Sequence, residues 1–136
     1  MKRYETIYIA NPNLDPESLK EVVKKFSDLI DRLKGAVVKI NEWGKRKLAY
    51  EVKKFDKGYY ILLDFCGLPG AVKELERNMK LDDRVLKYLT VKIDEDVDVE
   101  HLIKEEREKE AIEAEKAKED DKSTEINNEL EEDNGI

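Results

Sequence analysis

The chain has 136 residues, of which 26 are Lys or Arg, 33 are Asp or Glu and one is His, giving a formal net charge of -7. This length has room for one domain and a tail. Residues 1–93 carry 20 basic and 14 acidic residues (net +6) and all ten aromatic residues, whereas residues 94–136 carry 6 basic and 19 acidic residues (net -13). The sequence therefore predicts a basic domain over residues 1–93 and an acidic tail over residues 94–136.

The acidic tail has no aromatic residue, so it cannot bury enough apolar surface to offset the cost of ordering its backbone. We expect residues 94–136 to be disordered or partly helical, with helix-forming residues concentrated over residues 100–119. The single cysteine, Cys66, excludes an internal disulfide, and neither a signal peptide nor an 18-residue apolar run is present. These features favour a soluble cytoplasmic protein with no membrane partner.

The first part of the domain predicts a strand followed by a helix. Residues 3–10 are rich in Tyr, Thr and Ile, which favours a strand. Asp15 is a suitable N-cap before Pro16, and apolar residues then recur at three- and four-residue steps as far as Leu33. Gly35 follows as the predicted C-terminal cap, so this segment is expected to form an amphipathic helix.

In the second part of the domain the apolar residues change to a period of two. Residues 36–52 predict a long strand that is bent or bulged near Gly44. Residues 58–65 form a strong strand-forming run that should pair back as a hairpin. Pro69 opens a shorter helix, and residues 85–93 predict the last strand.

The resulting order, β-α-β-β-α-β, is typical of a ferredoxin-like α+β fold. In this fold two helices cover one face of a four-stranded antiparallel sheet, and the opposite face is left for a partner. We expect the open face to include aromatic and aliphatic side chains on adjacent strands, namely Tyr4, Tyr8, Tyr60 and Leu62.

The residues that catalysis would need are scarce. His101, the only histidine, lies in the tail without packed neighbours to orient it, and the domain has no histidine to activate Cys66. Asp82 and Asp83 lie between a helix and a strand, where Asp serves turns and caps. Phosphate-loop, CxxC and HExxH spacings are absent. We therefore predict that the protein is not an enzyme and has no catalytic, cofactor-binding or metal-binding residues and no small-molecule substrate.

The positive charge of the domain is more informative. Cationic side chains interleaved with aromatic ones suit the phosphates and bases of RNA. The alternative is an ordinary solvated surface, because a net charge of +6 over 93 residues is moderate. The cations cluster at Lys2 and Arg3, at Lys45, Arg46 and Lys47 after Trp43, and at Lys53, Lys54 and Lys57.

Residues 57–65 begin like the RNA-recognition-motif signature, but the match soon fails. Tyr60 replaces a small residue, Ile61 replaces a stacking aromatic, and Asp64 stands where the last aromatic should be. A single-stranded RNA-binding protein of that kind is therefore the alternative function.

Four sequence blocks together resemble one family. They are RYETIYI at Arg3, WGKRKLAYEVKK at Trp43, KGYYILL at Lys57 and ELERNMKLDDRVLKYLTVKI at Glu74. In this order and spacing they are similar to the bacterial ribosomal small-subunit protein six family over about residues 1–93. No single block is decisive, but their conjunction is highly specific.

The resemblance implies a structural constituent of the small ribosomal subunit, located on cytoplasmic ribosomes and without a cofactor. It implies binding to the central domain of the small-subunit ribosomal RNA together with small-subunit protein eighteen. Trp43 and Leu48 in the second block are open to a structural interpretation instead. Carried over to the matching positions, the candidate RNA or partner contacts are Lys2, Arg3, Lys45, Arg46 and Lys47.

Overall fold

The computed structural model describes the backbone of residues 1–134 and the side chains of residues 1–116. Its elements follow the predicted order, with one further helix after the last strand. They are β1 (Lys2–Ala10), α1 (Pro16–Arg32), β2 (Ala36–Val52), β3 (Phe55–Gly67), α2 (Pro69–Leu81), β4 (Val85–Asp94) and α3 (Val99–Asn134). Residues 135 and 136 of the predicted tail lie outside the described residues.

The four strands form one antiparallel sheet in the order β2-β3-β1-β4, so β2 and β4 are its edges. The apolar stripes of α1 and α2 pack on one sheet face, and the other face is not covered by these helices. This arrangement confirms the predicted ferredoxin-like α+β fold. The core beneath the helices consists of Tyr4, Tyr8, Ala10, Val22, Phe26, Leu29, Ile30, Ile61, Leu63, Phe65, Leu75, Met79 and Val85.

The ends of α1 show which predicted caps act as expected. The Asp15 carboxylate accepts a hydrogen bond from the backbone N–H of Ser18 at 3.1 Å, as an N-cap should. At the other end the residue with positive φ is Lys34 (64°), not Gly35. Gly35 is required for close approach, because a Cβ there would lie 2.6 Å from the carbonyl oxygen of Cys66.

A buried carboxylate ties α1 to the loop between α2 and β4. Asp82 accepts hydrogen bonds from the Arg84 guanidinium at 3.0 and 2.9 Å, from the Arg84 backbone N–H at 3.0 Å and from Lys25 Nζ at 2.9 Å. The bonds from Arg84, and next that from Lys25, hold the pKa of Asp82 well below its usual value. This geometry confirms the turn and capping role that the sequence predicts for Asp82.

The chain divides into two units, Met1–Val99 and Glu100–Ile136. The first contains the whole sheet, and beyond the end of β4 the backbone N–H of Val97 still donates to the carbonyl of Met1 at 3.0 Å. The acidic stretch is helical over Val99–Asn134. None of the helices in the described part of the chain has both the length and the apolar composition of a membrane-spanning segment. The predicted division after residue 93 stays a prediction.

Candidate functional site

β2 and β3 are longer than the other strands and continue past the end of β1 as a hairpin. Pairing of β3 with β1 ends at Tyr59, whereas pairing of β2 with β3 continues to Val52. We call residues 43–60 the hairpin arm. Its tip is a two-residue turn at Lys53 and Lys54, which both have positive φ (49° and 70°), a conformation that favours Asn and Gly. The turn therefore holds two cations in a constrained backbone.

A small apolar cluster fixes the hairpin arm to the sheet face that α1 and α2 leave open. Leu48 is buried against Ile9 of β1 and Leu86 of β4, which confirms its structural interpretation. Lys53 Nζ also donates to the carbonyl oxygen of Val85 at 3.4 Å. The arm is thus held in place on the sheet. Around this cluster pack Val52, Phe55 and Tyr60.

The three consecutive cations of the hairpin arm do not share a face. The register places Lys45 opposite Tyr59 and Arg46 opposite Gly58. Because side chains alternate along a strand, Arg46 lies on the open sheet face, and Lys45 and Lys47 lie on the opposite one. All three side chains are exposed. The arm therefore presents cations to both sides.

On the open face, Arg46 belongs to an aromatic stack. The rings of Trp43 and Tyr60 are nearly parallel, at 19°, with centroids 6.5 Å apart, and the guanidinium carbon of Arg46 lies 5.2 Å from the Trp43 ring centroid. Nearby, Lys87 Nζ donates to the Tyr50 hydroxyl at 2.7 Å and lies 5.0 Å from that ring's centroid. This hydrogen bond lowers the pKa of Tyr50. One cation–aromatic pair thus lies within the arm, and a second joins the arm to β4.

Lys2 and Arg3 lie far from the hairpin arm. Arg3 pairs with Cys66 of β3, whereas Arg46 pairs with Gly58, eight positions earlier on the same strand. At about 3.3 Å per residue the two sites are roughly 26 Å apart along β3. Alternation also directs Lys2 to the sheet face opposite that of Arg3. The structure therefore does not bring the five predicted site residues into one cluster.

Arg3 is engaged in a bidentate ion pair. Its Nε and Nη2 donate to the two carboxylate oxygens of Asp64 at 3.0 and 2.6 Å, and Asp64 is fully buried. A buried carboxylate needs such a partner, because an unpaired charge away from water is costly. Arg3 therefore neutralises Asp64 in this structure, and its predicted contact with RNA or a partner stays a prediction.

The open face also carries exposed apolar side chains on the edge strand β4. Leu89, Val91 and Ile93 are 62%, 50% and 46% exposed. Leu89 pairs with Ile7 of β1, which lies on the open face, and alternation places Val91 and Ile93 on the same side. We call these three residues the β4 strip. An exposed apolar row of this kind marks a surface that a partner can bury.

The prediction that Tyr4 and Tyr8 lie on the open face is wrong. Tyr8 packs edge-on against Phe26 of α1 at 5.3 Å, and Tyr4 packs against Phe65 at 5.6 Å, both within the core beneath the helices. The physical reason is that both faces of β1 bear apolar residues, so the period of two does not show which set faces the helices. Tyr60 does lie on the open face, as predicted.

The residues considered for catalysis have structural surroundings. Cys66 is fully buried, and burial raises the pKa of its thiol. His101 is exposed on α3, with Nε2 2.8 Å from a carboxylate oxygen of Glu105. Among the described side chains, no three His, Cys, Asp or Glu residues are grouped so that they could hold a metal ion.

Sequence reasoning missed two features of the open face. The pairing of Tyr50 with Lys87 joins residues that are 37 positions apart, and no local pattern signals it. The β4 strip did have a signal in the sequence, because apolar residues alternate with polar ones from Leu89 to Ile93.

Comparison with known proteins gives consistent results. The family described as Ribosomal protein S6 matches residues 3–92. The small ribosomal subunit protein bS6 of Desulfosudis oleivorans is 47% identical over 114 residues, which span 82% of this chain and 68% of that protein. The small ribosomal subunit protein bS6 of Heliobacterium modesticaldum is 46% identical over 95 residues, which span 70% of this chain and 99% of that protein. The crystal structure of 30S ribosomal protein S6 from Thermotoga maritima is similar with a TM-score of 0.64 and 29% identity, covering 80% of this chain and 97% of that one.

Proposed function

Because this chain belongs to the ribosomal protein S6 family, and is thus a protein of the small ribosomal subunit, we propose that it binds the central domain of the small-subunit ribosomal RNA together with small-subunit protein eighteen. The family is one of ribosomal structural proteins and not of enzymes. The observation that carries the RNA part of the proposal is the hairpin arm, whose exposed cations lie on an anchored piece of β-structure.

Lys45, Arg46 and Lys47 supply the charge for phosphate contacts. RNA binding gains from the release of counterions when cations neutralise phosphates, and an anchored arm loses little chain entropy on binding. The basic residues 1–93, with net +6, favour this contact, whereas residues 94–136, with net -13, disfavour it. We therefore expect the acidic segment to point away from the RNA, toward solvent or a basic neighbouring protein.

The β4 strip supports the protein part of the proposal. Three adjacent apolar side chains that are each about half exposed gain from burial at about 25 cal/mol per Å² of apolar surface. A specific and stable complex buries at least about 1,000 Å² in total, so the strip would be only the centre of the contact. We propose that small-subunit protein eighteen covers it, which leaves the hairpin arm for RNA.

We propose Lys2 and Arg3 as a second, separate site of contact with the RNA or the partner protein. At roughly 26 Å from Arg46 along β3 they cannot touch the same phosphate group as the arm. Either an extended RNA segment reaches both ends of the sheet, or one end contacts RNA and the other contacts the partner. The pairing of Arg3 with Asp64 favours Lys2 as the more available cation.

The alternative function, a single-stranded RNA-binding protein like the RNA-recognition-motif proteins, has little support. Ile61 stands where that motif has a stacking aromatic, and it is fully buried beneath the helices. The motif-like positions therefore do not form a base-stacking surface on the open face.

The test compares two triple variants of the full chain in the presence of small-subunit protein eighteen. One replaces Lys45, Arg46 and Lys47 by Ala, and the control replaces three exposed helix lysines, Lys20, Lys24 and Lys73. Affinity for labelled central-domain RNA is measured from low to high salt. In the arm variant only, we expect weaker binding and a salt slope that flattens by about 0.7–0.9 for each phosphate that is no longer neutralised. Equal affinities and slopes for the arm variant and the wild type would contradict the proposal.

A further inference from the structure

Trp43, the only tryptophan of the chain, contacts both Tyr60 and Arg46 in the hairpin arm. Its ring is nearly parallel to that of Tyr60, and the guanidinium carbon of Arg46 lies over the indole, 5.2 Å from the ring centroid. Trp43 is 36% exposed and Arg46 is exposed, so this cluster is accessible from the open face. Tyr60, Trp43 and Arg46 together form an aromatic cluster that carries a planar cation.

A bulge in β2 positions the indole. Glu42 pairs with Ile61 and Gly44 pairs with Tyr60, so Trp43 and Gly44 together oppose one residue of β3. Gly44 has φ of 87°, a conformation that other residues rarely adopt. The extra residue sets Trp43 over the ring of Tyr60, and Arg46 then follows on the same face.

The charges around the stack are positive on its own face. Glu42 pairs with Ile61, which packs in the core beneath the helices, so this acid lies on the other side of the sheet from the stack. Burial, and next Glu42, raise the pKa of Tyr59, which lies on that same side. Alternation from Val52, which packs on the open face, likewise directs Glu51 away. Lys87, paired with Tyr50, adds a second cation on the face of the stack.

We propose that the Arg46 guanidinium, held over the ring of Trp43, is the stacking site for an unpaired base of the bound RNA. This inference rests on the proposed function and names how the arm recognises its RNA. Unpaired bases stack on aromatic rings and on Arg planes, and the in-plane N–H groups of Arg can donate to the base edge or to a neighbouring phosphate. Lys45 and Lys47, on the opposite face, act as point charges.

An RNA base fits this site better than a protein partner. The site is small, planar and cationic, whereas the apolar surface that a protein would bury is the β4 strip. A base brings both the π-face for the guanidinium and, through its backbone, the negative charge for Lys87 and the turn lysines. The contact with Trp43 restrains the Arg46 side chain before binding, which lowers the entropy that binding would otherwise cost.

The first test is Arg46→Lys, which keeps the charge but removes the plane. With small-subunit protein eighteen and labelled central-domain RNA, we expect about tenfold weaker binding and an unchanged salt slope. The matched control is Arg32→Lys, an exposed residue at the end of α1, which should bind like the wild type. Lys45→Ala removes a charge and not the stacking plane, so it should flatten the salt slope, which Arg46→Lys leaves unchanged. Thermal melts of each variant verify that the fold is retained.

The second readout is the fluorescence of Trp43. A single-stranded oligonucleotide should quench or shift the emission of the wild-type chain, and a blunt duplex with the same number of phosphates should not. Arg46→Lys should reduce the response to the single strand.

Three results would overturn the proposal. If Arg46→Lys binds RNA like the wild type, or only flattens the salt slope, Arg46 is a point charge and the proposed function stands without base stacking. If Arg46→Lys weakens binding to small-subunit protein eighteen in the absence of RNA, the stack is a protein contact. If the wild-type chain fails to bind central-domain RNA even with that partner, both the stacking site and the proposed function fail.

Discussion

Replacing Gly58 by alanine should destabilise the domain, because the arm and the sheet meet too closely at this residue. Gly58 does not have a positive φ, so alanine brings no backbone strain. The obstacle is space: a Cβ at this position would lie 2.2 Å from Ile9 Cγ2 and 3.5 Å from Leu48 Cδ2. Gly58 therefore lets Ile9 and Leu48 pack together over the strand.

The size of the effect follows from these distances. Carbon atoms in contact normally stay about 3.5–4.0 Å apart, so Ile9 or the arm must move by more than about 1 Å. Overpacking of this kind costs about 1–3 kcal/mol. For a domain of this size, 1 kcal/mol shifts the melting temperature by about 4–8 °C, so we expect Gly58→Ala to melt about 4–24 °C lower.

The assay is thermal unfolding followed by circular dichroism, with two controls. Gly70→Ala is the matched glycine variant, because a Cβ at Gly70 meets no atom within 4 Å and alanine is favoured in a helix. Ile9→Ala removes the clashing Cγ2, so Gly58→Ala should cost less in that background than in the wild type. The steric explanation would be ruled out if Gly58→Ala had the same melting temperature as Gly70→Ala. It would also be ruled out if Gly58→Ala lowered the melting temperature equally in the wild-type and Ile9→Ala backgrounds.

Two further predictions concern the stability of the domain. Hydrogen bonds from Arg84 and Lys25 lower the pKa of Asp82 in the folded state. The ionised carboxylate therefore stabilises the fold fully above the pKa of Asp in the unfolded chain, near 3.9, and this stabilisation is lost as the pH falls below that value. The difference in melting temperature between the wild type and Asp82→Asn should therefore shrink between about pH 5 and pH 2, and a constant difference would contradict this linkage. A chain ending at Val99 should have a free energy of unfolding within about 1 kcal/mol of that of the full chain. A chain ending at Ile93 should be less stable by about 1 kcal/mol more, because it lacks the backbone hydrogen bond from Val97 to Met1. A larger loss on truncation at Val99, measured by denaturant unfolding, would show that the acidic helix stabilises the domain.

Much of the fold could be predicted from the sequence because local signals and the global fold agree. The N-cap at Asp15, the proline at Pro16 and the three-to-four-residue spacing specify α1 without tertiary information. Period-two segments specify the strands, and their order specifies the topology.

The faces of the strands could not be predicted to the same extent. The sequence predicts Tyr4 and Tyr8 on the open face, yet they pack beneath the helices, because both sides of β1 bear apolar residues and periodicity cannot choose between them. The separation of Arg46 from Lys45 and Lys47 depends on the register of β2 against β3. That register is set by a bulge whose extra residue shifts every later side chain, and the sequence indicates a bulge near Gly44 without fixing its pairing.

The candidate site was partly predictable for a related reason. The cations of the arm are visible as a run of sequence, but the ion pair of Arg3 with Asp64 and the pair of Tyr50 with Lys87 join distant residues. Such contacts arise only when strands that are far apart in sequence become neighbours in the sheet. A run of charge therefore indicates binding, whereas its division into stacked, paired and solvated cations needs the tertiary structure.

Joint binding of RNA with the partner protein can be measured by titrating labelled central-domain RNA with three samples: this chain, small-subunit protein eighteen, and their mixture. The control variant is Leu89→Glu, which places a charge on the exposed β4 strip and should prevent the partner protein from increasing the affinity for RNA. We expect the wild-type mixture to bind at least about tenfold more tightly than either protein alone, which corresponds to about 1.4 kcal/mol of coupling, and Leu89→Glu to remove this gain. Equal affinity for the isolated chain and for the mixture would show that the two proteins do not bind the RNA cooperatively, contrary to the proposed function.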